Sequence, residues 1–471
     1  MKPNVYIGGD KIGREDPRLK GGINTVAVSM NAAQDPKYQN FMLAKSHLTG
    51  ETINRFVNIH HSVEDLLLKQ KMTRSLCNMV GGCIQRCMGI DAMNALSVVT
   101  YATDKKYGTE YNKRYLKYLD WFQKNDIVAN CAQTDVKGDR SLRPSEQKDP
   151  DQYLHIVKKE KDGIVVRGAK AHNTIAAYAE EIIAIPTRFM GKADKDYAVA
   201  FAIPADWDNV HLVCAVTDYA RKRVKLDSPK ANYGDAESLT IFDDAFIPND
   251  RIFLCGEDEF AGQLALLFAL YHRHSYCGCK PATADMMMGL TALVADYNGV
   301  EDAKHVQGKL TELIGTAELV YAAGIAGAHT ATKDPSGTYI PNPIYCNVGR
   351  REAGLDMYRE LDILTDVAGG LAGTLPYEES FDHPKVGPLL NKYMTRRDGV
   401  SPEDIRRCYM AIEDEICSVH GCIAAIAGVH GGGSPMMEEI AILKQYDLKY
   451  RKEIAKYYAG IRKDFPPLPK A

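Results

Sequence analysis

The spacing of apolar residues changes twice along this chain, and no other feature of the sequence limits its fold as much. Between residues 24 and 124 the apolar residues recur at helical spacing, as in Ile53, Phe56 and Val57. From residue 126 onward, short β-rich runs alternate with turn residues, and beyond Phe260 the helical spacing returns almost to the end. Helices before and after a compact block of strands predict an α+β fold.

The predicted elements divide the chain into three parts. Strands are predicted at residues 163–168, 182–186, 197–204, 210–214 and 239–242. Helices of the C-terminal part are predicted at residues 262–298, 302–331, 350–372, 402–428 and 436–460. We therefore expect an N-terminal helical domain at residues 1–130, a central β domain at 131–258 and a C-terminal helical bundle at 259–471.

The composition limits the partners and the compartment. Of the 471 residues, 45% are hydrophobic and 25% are charged, and the net charge of −3 gives no electrostatic basis for binding nucleic acid or a membrane surface. The N-terminus lacks the basic and apolar regions of a signal peptide. The most apolar stretch, residues 412–429, carries four charged or titratable residues, unlike the roughly 18 apolar residues of a membrane span. We expect a cytoplasmic protein whose twelve cysteines are reduced.

Two distant segments carry soft metal ligands. Cys83 and Cys87 lie in one, and His272 and Cys279 lie in the other. Three thiols and one imidazole are the donors that an iron–sulfur cluster with one unusual corner would use. Zinc is a competing interpretation, although its cysteines are usually paired at tighter spacing. A third interpretation needs no metal, because free cysteine also packs in protein cores as a small hydrophobe.

On a helix, the two ligand pairs would have different separations. On a helix Cys83 and Cys87 share a face, with β-carbons roughly 6 Å apart. His272 and Cys279 are seven residues apart, which is about 10.5 Å along an unbroken helix. That distance is too large for neighbouring corners of one cluster, so we expect the helix to break or widen near Gly278.

Nucleotide-binding loops are absent from the sequence. No Gly-x-Gly-x-x-Gly follows a predicted strand, and there is no Walker-type phosphate loop. A dinucleotide would therefore bind without a Rossmann domain. The runs Gly369-Gly370 and Gly431-Gly432-Gly433 are, by themselves, typical of turns and tight packing.

Along nearly its whole length the chain resembles the 4-hydroxybutyryl-CoA dehydratases (vinylacetyl-CoA Δ-isomerases), a branch of the 4-hydroxyphenylacetate 3-monooxygenase family. The stretches that carry the resemblance are residues 50–56, 134–140, 165–172 and 246–255, together with Gln85-Arg86-Cys87-Met88-Gly89-Ile90-Asp91-Ala92 and His430-Gly431-Gly432-Gly433-Ser434-Pro435. Plain monooxygenases of the wider family would share the fold but not the four metal ligands. The ligand set is therefore the specific part of the resemblance.

The resemblance implies an acyl-CoA-dehydrogenase-like fold with a helical N-terminal domain, a central β-barrel and a C-terminal helical bundle. It implies a homotetramer (a dimer of dimers) that binds FAD between its domains and acts on an acyl-CoA substrate. It also implies a [4Fe–4S] cluster held by Cys83, Cys87, His272 and Cys279. The implied reaction is radical dehydration of 4-hydroxybutyryl-CoA to crotonyl-CoA, with isomerisation of vinylacetyl-CoA to the same product.

Roles for individual residues follow from the same resemblance. His272 is the weakly held iron ligand that acts as a base once displaced, and histidine ordinarily exchanges protons near neutral pH. Tyr276 binds a substrate or flavin oxygen, Glu237 is an active-site carboxylate, and Lys280 stabilises an anionic flavin or enolate. The implied cofactor-binding residues are Gln133, Thr134, Lys137, Arg140, His172, Asn173 and Thr174, with Gly369 and Gly370 contributed to a neighbouring subunit.

One departure from the family pattern concerns the chemistry. Ala427 stands where the family has an active-site glutamate. Three explanations remain: Glu438 or Glu439 replaces it, another base serves, or the reaction differs. The rival functions are a related metalloflavoenzyme that acts on another acyl-CoA or only shifts a double bond, a reduced-flavin aromatic monooxygenase, and a protein whose cluster is structural or redox-sensing. Asn173 and His274 are milder departures.

Overall fold

Helices at both ends of the chain enclose a centre built from strands, in a computed structural model that describes residues 1–217 and 229–468. The helices are α1 (Lys20–Gln34), α2 (Gln39–Met42), α3 (Val63–Val80), α4 (Cys87–Tyr107), α5 (Tyr111–Lys124), α6 (Asp258–Tyr297), α7 (Lys304–His329), α8 (Pro343–Ala368), α9 (Leu371–Thr374), α10 (Gly387–Met394), α11 (Pro402–Ile416), α12 (Val419–His430), α13 (Pro435–Gln445) and α14 (Leu448–Tyr458). This order confirms the predicted α+β fold.

The strands of the described residues form two main sheets. They are β1 (Val5–Ile7), β2 (Asp10–Ile12), β3 (Leu43–Lys45), β4 (Thr52–Asn54), β5 (Ala129–Ala132), β6 (His155–Lys159), β7 (Gly163–Thr174), β8 (Glu181–Ala184), β9 (Val199–Pro204), β10 (Val210–Thr217), β11 (Asp235–Pro248), β12 (Ile252–Cys255), β13 (Thr332–Lys333) and β14 (Tyr339–Ile340). One sheet has the order β2-β1-β10-β11-β7-β6 and the other β12-β9-β8-β5; β3-β4 and β13-β14 pair separately. In the described residues the hydrogen bonds between strands form these two main sheets.

Facing surfaces of the two sheets share one apolar core. Val166 and Phe242 from the large sheet meet Ile182 and Phe201 from the small one, and all four side chains are fully buried. A second core joins the small sheet to α4, α5 and α6. The β domain is thereby fixed to the helix that carries His272 and Cys279.

Two predicted helices are each divided in the structure. The helix predicted at 402–428 is divided into α11 and α12, because the Ser418 hydroxyl accepts a hydrogen bond from the Gly421 backbone and starts a new helix. The helix predicted at 436–460 is divided into α13 and α14. The first twelve residues, for which no element was predicted, form β1 and β2, and β1 pairs in parallel with β10.

The expected break in the helix between His272 and Cys279 is wrong. Helix α6 runs unbroken for 40 residues through Pro281. Gly278 lets α6 approach α3 closely, since a β-carbon there would lie 1.9 Å from Thr73 Oγ1 and 3.0 Å from the Gln70 carbonyl oxygen. The glycine that suggested a break is a close-packing residue inside an intact helix.

Within the described residues, no single helix combines the length and apolar character of a membrane span. A bent pair, Pro402–Ile416 with Val419–Gln445, reaches that threshold only when its two parts are taken together.

Gly278→Ala tests the close packing of α3 and α6. We expect it to lower the free energy of unfolding by about 1–3 kcal/mol, because the methyl group overlaps buried Thr73. Gly289→Ala is the matched control on the same helix, where a β-carbon meets no atom within 4 Å, and it should stabilise the protein by roughly 0.5–1 kcal/mol. Thermal or urea unfolding measures both, and a neutral Gly278→Ala would contradict the packing.

Candidate active site

A buried carboxylate on α4 connects that helix to α3 and α6. The side chain of Asp91 is completely buried, and it accepts hydrogen bonds from Lys69 Nζ (2.5 Å) and Ser275 Oγ (2.9 and 3.0 Å). The Nδ1 atom of His272 lies 2.9 Å from Asp91 Oδ2. Burial by itself raises the pKa of Asp91. The charge of Lys69 and the contact with His272 lower it by more than burial raises it, so the pKa lies below its ordinary value.

His272 is packed on both sides along α6. Its ring stacks on Phe268 at a centroid distance of 5.6 Å, and Tyr276 meets it edge-on at 5.1 Å. Only 15% of the side chain is exposed, so the ring has little freedom to turn. Asp91 and these two rings together determine which imidazole nitrogen faces the remaining space.

The loop between α3 and α4 presents Cys83, and α4 begins at Cys87. Gln85, between the two cysteines, has a φ of +66°, which is unusual for a residue with a side chain. Its amide donates to the Gly234 carbonyl (2.8 Å), and Tyr178 donates its hydroxyl hydrogen to the Gln85 side-chain oxygen. The segment before β11 and the segment after β7 therefore hold this loop in a strained conformation.

Three of the predicted metal ligands lie near one another. The thiols of Cys83 and Cys279 are in hydrogen-bond contact, and this contact raises the pKa of Cys83, although Cys83 itself is exposed. Cys87 has a pKa raised by burial first and then by the charges of Asp91, Cys83 and Cys279. The fourth predicted ligand, His272, contacts Asp91, and the charge of Asp91 also acts on Cys87.

A fourth thiol that sequence reasoning missed lies beside this group. Cys77 on α3 is 1% exposed, and its thiol contacts that of Cys279. This hydrogen bond lowers the pKa of Cys77, but burial and the charges of Cys83 and Cys87 raise it more. Cys77 lies among the apolar residues of a helix face, so nothing in its spacing distinguished it from a core residue.

These donors do not form a compact site for a single ion. Among the residues that the structure describes, no three His, Cys, Asp or Glu side chains are arranged to hold one metal ion. A zinc site of the usual tetrahedral type is therefore not preformed here.

Tyr276 closes one side of the site. Its hydroxyl donates to the Ala427 carbonyl oxygen (3.2 Å), and the guanidinium of Arg350 lies 4.6 Å from its ring centroid. Gly431 leaves room for this hydroxyl, because a β-carbon there would lie 1.7 Å from it. Burial raises the pKa of Tyr276, Arg350 opposes the shift, and the charges of Cys279, Cys83 and Glu237 increase it. Tyr276 therefore lies between the thiols and the sheet.

Glu237 faces the site from strand β11. Thr174, its register partner on β7, donates a hydrogen bond of 2.6 Å to Glu237 Oε1. Burial raises the pKa of Glu237 to about 7, which Thr174 partly opposes. A carboxyl group of this kind can be protonated or ionised near neutral pH, as acid–base catalysis requires.

The predicted flavin residues occupy the end of β7 and the segment after β5. Gln133 donates from Nε2 to the Ala265 carbonyl (3.0 Å), the Thr134 carbonyl accepts from the Ala171 backbone (2.8 Å), and Asn173 donates to Thr240 (2.9 Å). His172 and Ile175 have positive φ angles of 59° and 72°. Two strained residues within one strand end, one of them β-branched, are typical of a functional site.

A group of cationic side chains lies in the same region. Burial followed by the charges of Arg140, Lys170 and Arg188 lowers the pKa of Lys137, and Asp135 opposes this. Burial, Lys137 and His430 lower the pKa of His172. Since His430 ends α12, side chains of the β domain and of the C-terminal helices meet in this space.

Three predicted site residues lie apart from this group. Lys280 is buried within the bundle, where its ammonium donates to Glu360 (2.6 Å) and contacts Met357 Sδ (3.1 Å). Gly369 and Gly370 are exposed where α8 ends. The catalytic role of Lys280 and the intersubunit role of the two glycines stay predictions.

Neither proposed replacement for the missing glutamate is free. Glu438 is completely buried 3.1 Å from Arg273, and burial raises its pKa. Glu439 pairs with Arg351 at 2.9 Å on the surface. Arg273 also donates to the Gly432 carbonyl, so Glu438 and Arg273 support the glycine loop instead.

Two cavities are present near these elements. One is lined by Cys83 and Gln85 together with Thr25, Gly234 and His420, and it opens beside the thiols. The other, of about 260 Å³, lies between α5 and the large sheet and contains none of the predicted site residues. The cavity beside Cys83 is therefore the one that belongs to this site.

Comparison with known proteins identifies the family. Sequence profiles of the 4-hydroxyphenylacetate 3-hydroxylase family match residues 1–254 (N-terminal part) and 261–460 (C-terminal part). The 4-hydroxybutyryl-CoA dehydratase/vinylacetyl-CoA-Delta-isomerase of Clostridium aminobutyricum is 40% identical over 98% of this chain and 97% of its own length. The resemblance found in the sequence is thereby confirmed.

Solved structures agree with this result. An oxygen-tolerant archaeal 4-hydroxybutyryl-CoA dehydratase from N. maritimus superposes with a TM-score of 0.94 at 38% identity, covering 100% of this chain and 94% of its own. The FAD complex of the oxygenase component of 4-hydroxyphenylacetate 3-monooxygenase shares the fold (TM-score 0.86, 22% identity, 98% and 96% coverage). An acyl-CoA dehydrogenase from Geobacillus kaustophilus does so more distantly (0.51, 16%, 91% and 92%), which confirms an acyl-CoA-dehydrogenase-like fold. This chain therefore belongs to the 4-hydroxyphenylacetate 3-hydroxylase family.

Proposed function

We propose that this protein dehydrates 4-hydroxybutyryl-CoA to crotonyl-CoA and isomerises vinylacetyl-CoA to the same product. The observation that carries the proposal is the meeting of Cys83, Cys87 and Cys279 with the Asp91–His272 pair on one side of Tyr276, opposite Glu237. The whole-length similarity to the Clostridium aminobutyricum enzyme supports it. Assembly as a homotetramer in the cytoplasm is part of the same proposal and rests on that similarity.

The residues of the β domain fit FAD. Lys137 and Arg140 supply positive charge, and the nearby carboxylate of Asp135 is paired with Lys170 (2.8 Å), so the two cations suit a pyrophosphate group. The strained end of β7 places Thr174 beside Glu237, where a flavin ring could lie against the sheet. A related structure holds FAD in the same fold.

The thiol group fits a [4Fe–4S] cluster better than a single ion. Its three cysteines lie close enough to affect one another's pKa values, while no three donors are arranged around one ion among the described residues, as suits a group of several irons. His272 has the carboxylate partner on Nδ1 that metal-bound histidines usually have. Cys83, Cys87, His272 and Cys279 would therefore hold the cluster, with His272 and Cys279 approaching it from positions two turns apart on the unbroken helix α6.

The two cofactors would supply one-electron oxidation of the substrate and a Lewis acid for its leaving hydroxyl group. The protein's own groups handle the protons. Glu237, in its ionised form, can accept the proton from C2, which the thioester acidifies. Once His272 no longer binds iron, its Nε2 atom would be the nitrogen that accepts the proton from C3, because Nδ1 is engaged by Asp91. Tyr276 lies beside His272, where its hydroxyl can bind a substrate oxygen.

Ala427 favours a second candidate, an enzyme of the same type that only shifts the double bond or acts on another acyl-CoA. Its methyl group cannot carry a proton, and its carbonyl oxygen is engaged by Tyr276. Glu438 and Glu439 are occupied by Arg273 and Arg351. Moving a double bond needs no proton for a leaving hydroxyl group, so this reaction tolerates the loss better than dehydration does.

Anaerobic purification followed by assays with both substrates tests the proposed reaction. We expect protein with bound FAD and about four irons per chain to form crotonyl-CoA from 4-hydroxybutyryl-CoA and from vinylacetyl-CoA. Activity with vinylacetyl-CoA alone would support the second candidate. Colourless protein that binds only added reduced FAD and hydroxylates a phenol would mean a monooxygenase.

Replacing single thiols tests the metal ligands. We expect Cys83→Ser and Cys279→Ser to lose most of the bound iron and the visible absorbance of the cluster, because serine is a poor ligand for iron. Cys422→Ser is the control, since Cys422 is an exposed thiol outside the site. Cys77→Ser should keep its iron, because four ligands are present without it. Iron retained at the wild-type level in Cys279→Ser would contradict the ligand set.

The raised pKa of Glu237 predicts a pH dependence. If ionised Glu237 is the base, kcat/KM rises as the pH passes about 7, and Glu237→Gln removes this rise and lowers kcat by about 10²–10⁴-fold. Folding favours the protonated form, so Glu237 also makes the protein less stable as the pH rises from the unfolded carboxyl value toward 7. Thermal unfolding across this range should show a smaller decrease in Glu237→Gln.

Glu181→Gln is the matched control for this prediction. Burial also raises the pKa of Glu181 to about 7, but Glu181 pairs with Arg251 in the small sheet, away from His272 and the thiols. The rise in kcat/KM should persist in this variant. Its disappearance there, or its persistence in Glu237→Gln, would assign the ionisation to another group.

A further inference from the structure

The network around Asp91 has more partners than a buried ion pair needs. Asp91 Oδ1 accepts from Lys69 Nζ (2.5 Å) and Ser275 Oγ (3.0 Å), while Oδ2 accepts from Ser275 (2.9 Å) and faces His272 Nδ1 (2.9 Å). Lys69 and Asp91 are both completely buried. Each carboxylate oxygen therefore has its own principal partner, the ammonium for Oδ1 and the imidazole for Oδ2.

We propose that Asp91 is the positioning residue that selects the tautomer of His272, and that Lys69 fixes the orientation of Asp91. The inference rests on the proposed function, in which His272 works through Nε2. A carboxylate only accepts hydrogen bonds, so the imidazole nitrogen that faces it must carry the hydrogen. The lone pair is then on Nε2, which is the nitrogen left for an iron atom or a substrate proton.

Lys69 determines which atom of the residue 91 side chain faces it and which atom faces His272. Its ammonium can only donate, so it requires an oxygen at the Oδ1 position. The Tyr271 carbonyl oxygen accepts a second hydrogen bond from it at 3.1 Å, which ties the ammonium to α6. In Asp91→Asn the amide oxygen must therefore stay toward Lys69, and the amide NH2 must turn toward His272.

That reversal is the basis of the test. Facing an NH2 group, Nδ1 of His272 has to accept, and the hydrogen moves to Nε2. The same substitution beside the catalytic histidine of serine proteases keeps the geometry and gives the wrong tautomer. We expect Asp91→Asn to fold, to contain protonated Nε2 at His272, and to lose its iron to a chelator about 10–100-fold faster than the wild type.

The tautomer is measured by solid-state 15N NMR of the full-length chain, labelled with 15N-histidine and stripped of iron. His272→Gln identifies the His272 signals among those of the thirteen histidines. The wild type should show protonated Nδ1, and Asp91→Asn should show protonated Nε2. An unchanged tautomer in Asp91→Asn would overturn the proposal.

A double variant separates positioning from a general effect on folding. In Lys69→Met with Asp91→Asn the ammonium is gone, so the asparagine can turn its oxygen toward His272 and restore the Nδ1–H tautomer. Glu181→Gln removes another buried carboxylate and should leave the His272 signals unchanged. Failure of the double variant to restore the tautomer, or an equal change in Glu181→Gln, would also count against the proposal.

The tautomer experiment does not depend on the reaction. A wild-type protein that shows protonated Nδ1 but neither binds iron nor forms crotonyl-CoA would refute the proposed function and keep this inference. The opposite result, an active iron protein whose His272 tautomer is indifferent to Asp91, would refute only the inference.

Discussion

The buried carboxylate of Asp91 is the contact on which the arrangement of the site depends. It joins α3 through Lys69 and α6 through Ser275 and His272, and it lies one helical turn after Cys87 on α4. Removing one partner of such a buried pair ordinarily costs roughly 3–5 kcal/mol, because the other charge is left without compensation. Conformational stability and the geometry of His272 are therefore provided by the same group of atoms. This explains why a polar cluster is kept in a place that apolar packing could fill.

The sequence predicted the fold and indicated where the candidate site lies, for identifiable reasons; the metal ligands stay a prediction. Long periodic segments such as α6 and α7 are visible because many residues report the same period. The Cys83–Cys87 spacing and the family motifs pointed to one locus, and the structure places Cys83, Cys87 and Cys279 near one another. Asp91 lies within one of those motifs, but a single acidic residue in a helix gives no sign of its partners, which come from residues 69 and 272–275.

Other features could not be read from the sequence because they depend on contacts between distant segments. Gly278 followed by Pro281 suggested a break in α6, whereas the glycine accommodates Thr73 of α3. Cys77 looked like a core residue until α6 placed Cys279 against it. The ion pair of Lys280 with Glu360 is also invisible locally, since the partners are 80 residues apart. In each case the residue type was known, and the neighbour across the interface was not.

The two sides of the site belong to different kinds of secondary structure. Glu237 and Thr174 are register partners on adjacent strands that stay paired to Pro248 and Gly163, while His272 and Tyr276 are one turn apart on a 40-residue helix packed against both α3 and α4. One apolar core joins the small sheet to α6, and another joins the small sheet to the large one, so the two cores together set the distance between these walls. A space between such walls has a fixed width, and widening it would require substitutions in the cores, remote from the site itself.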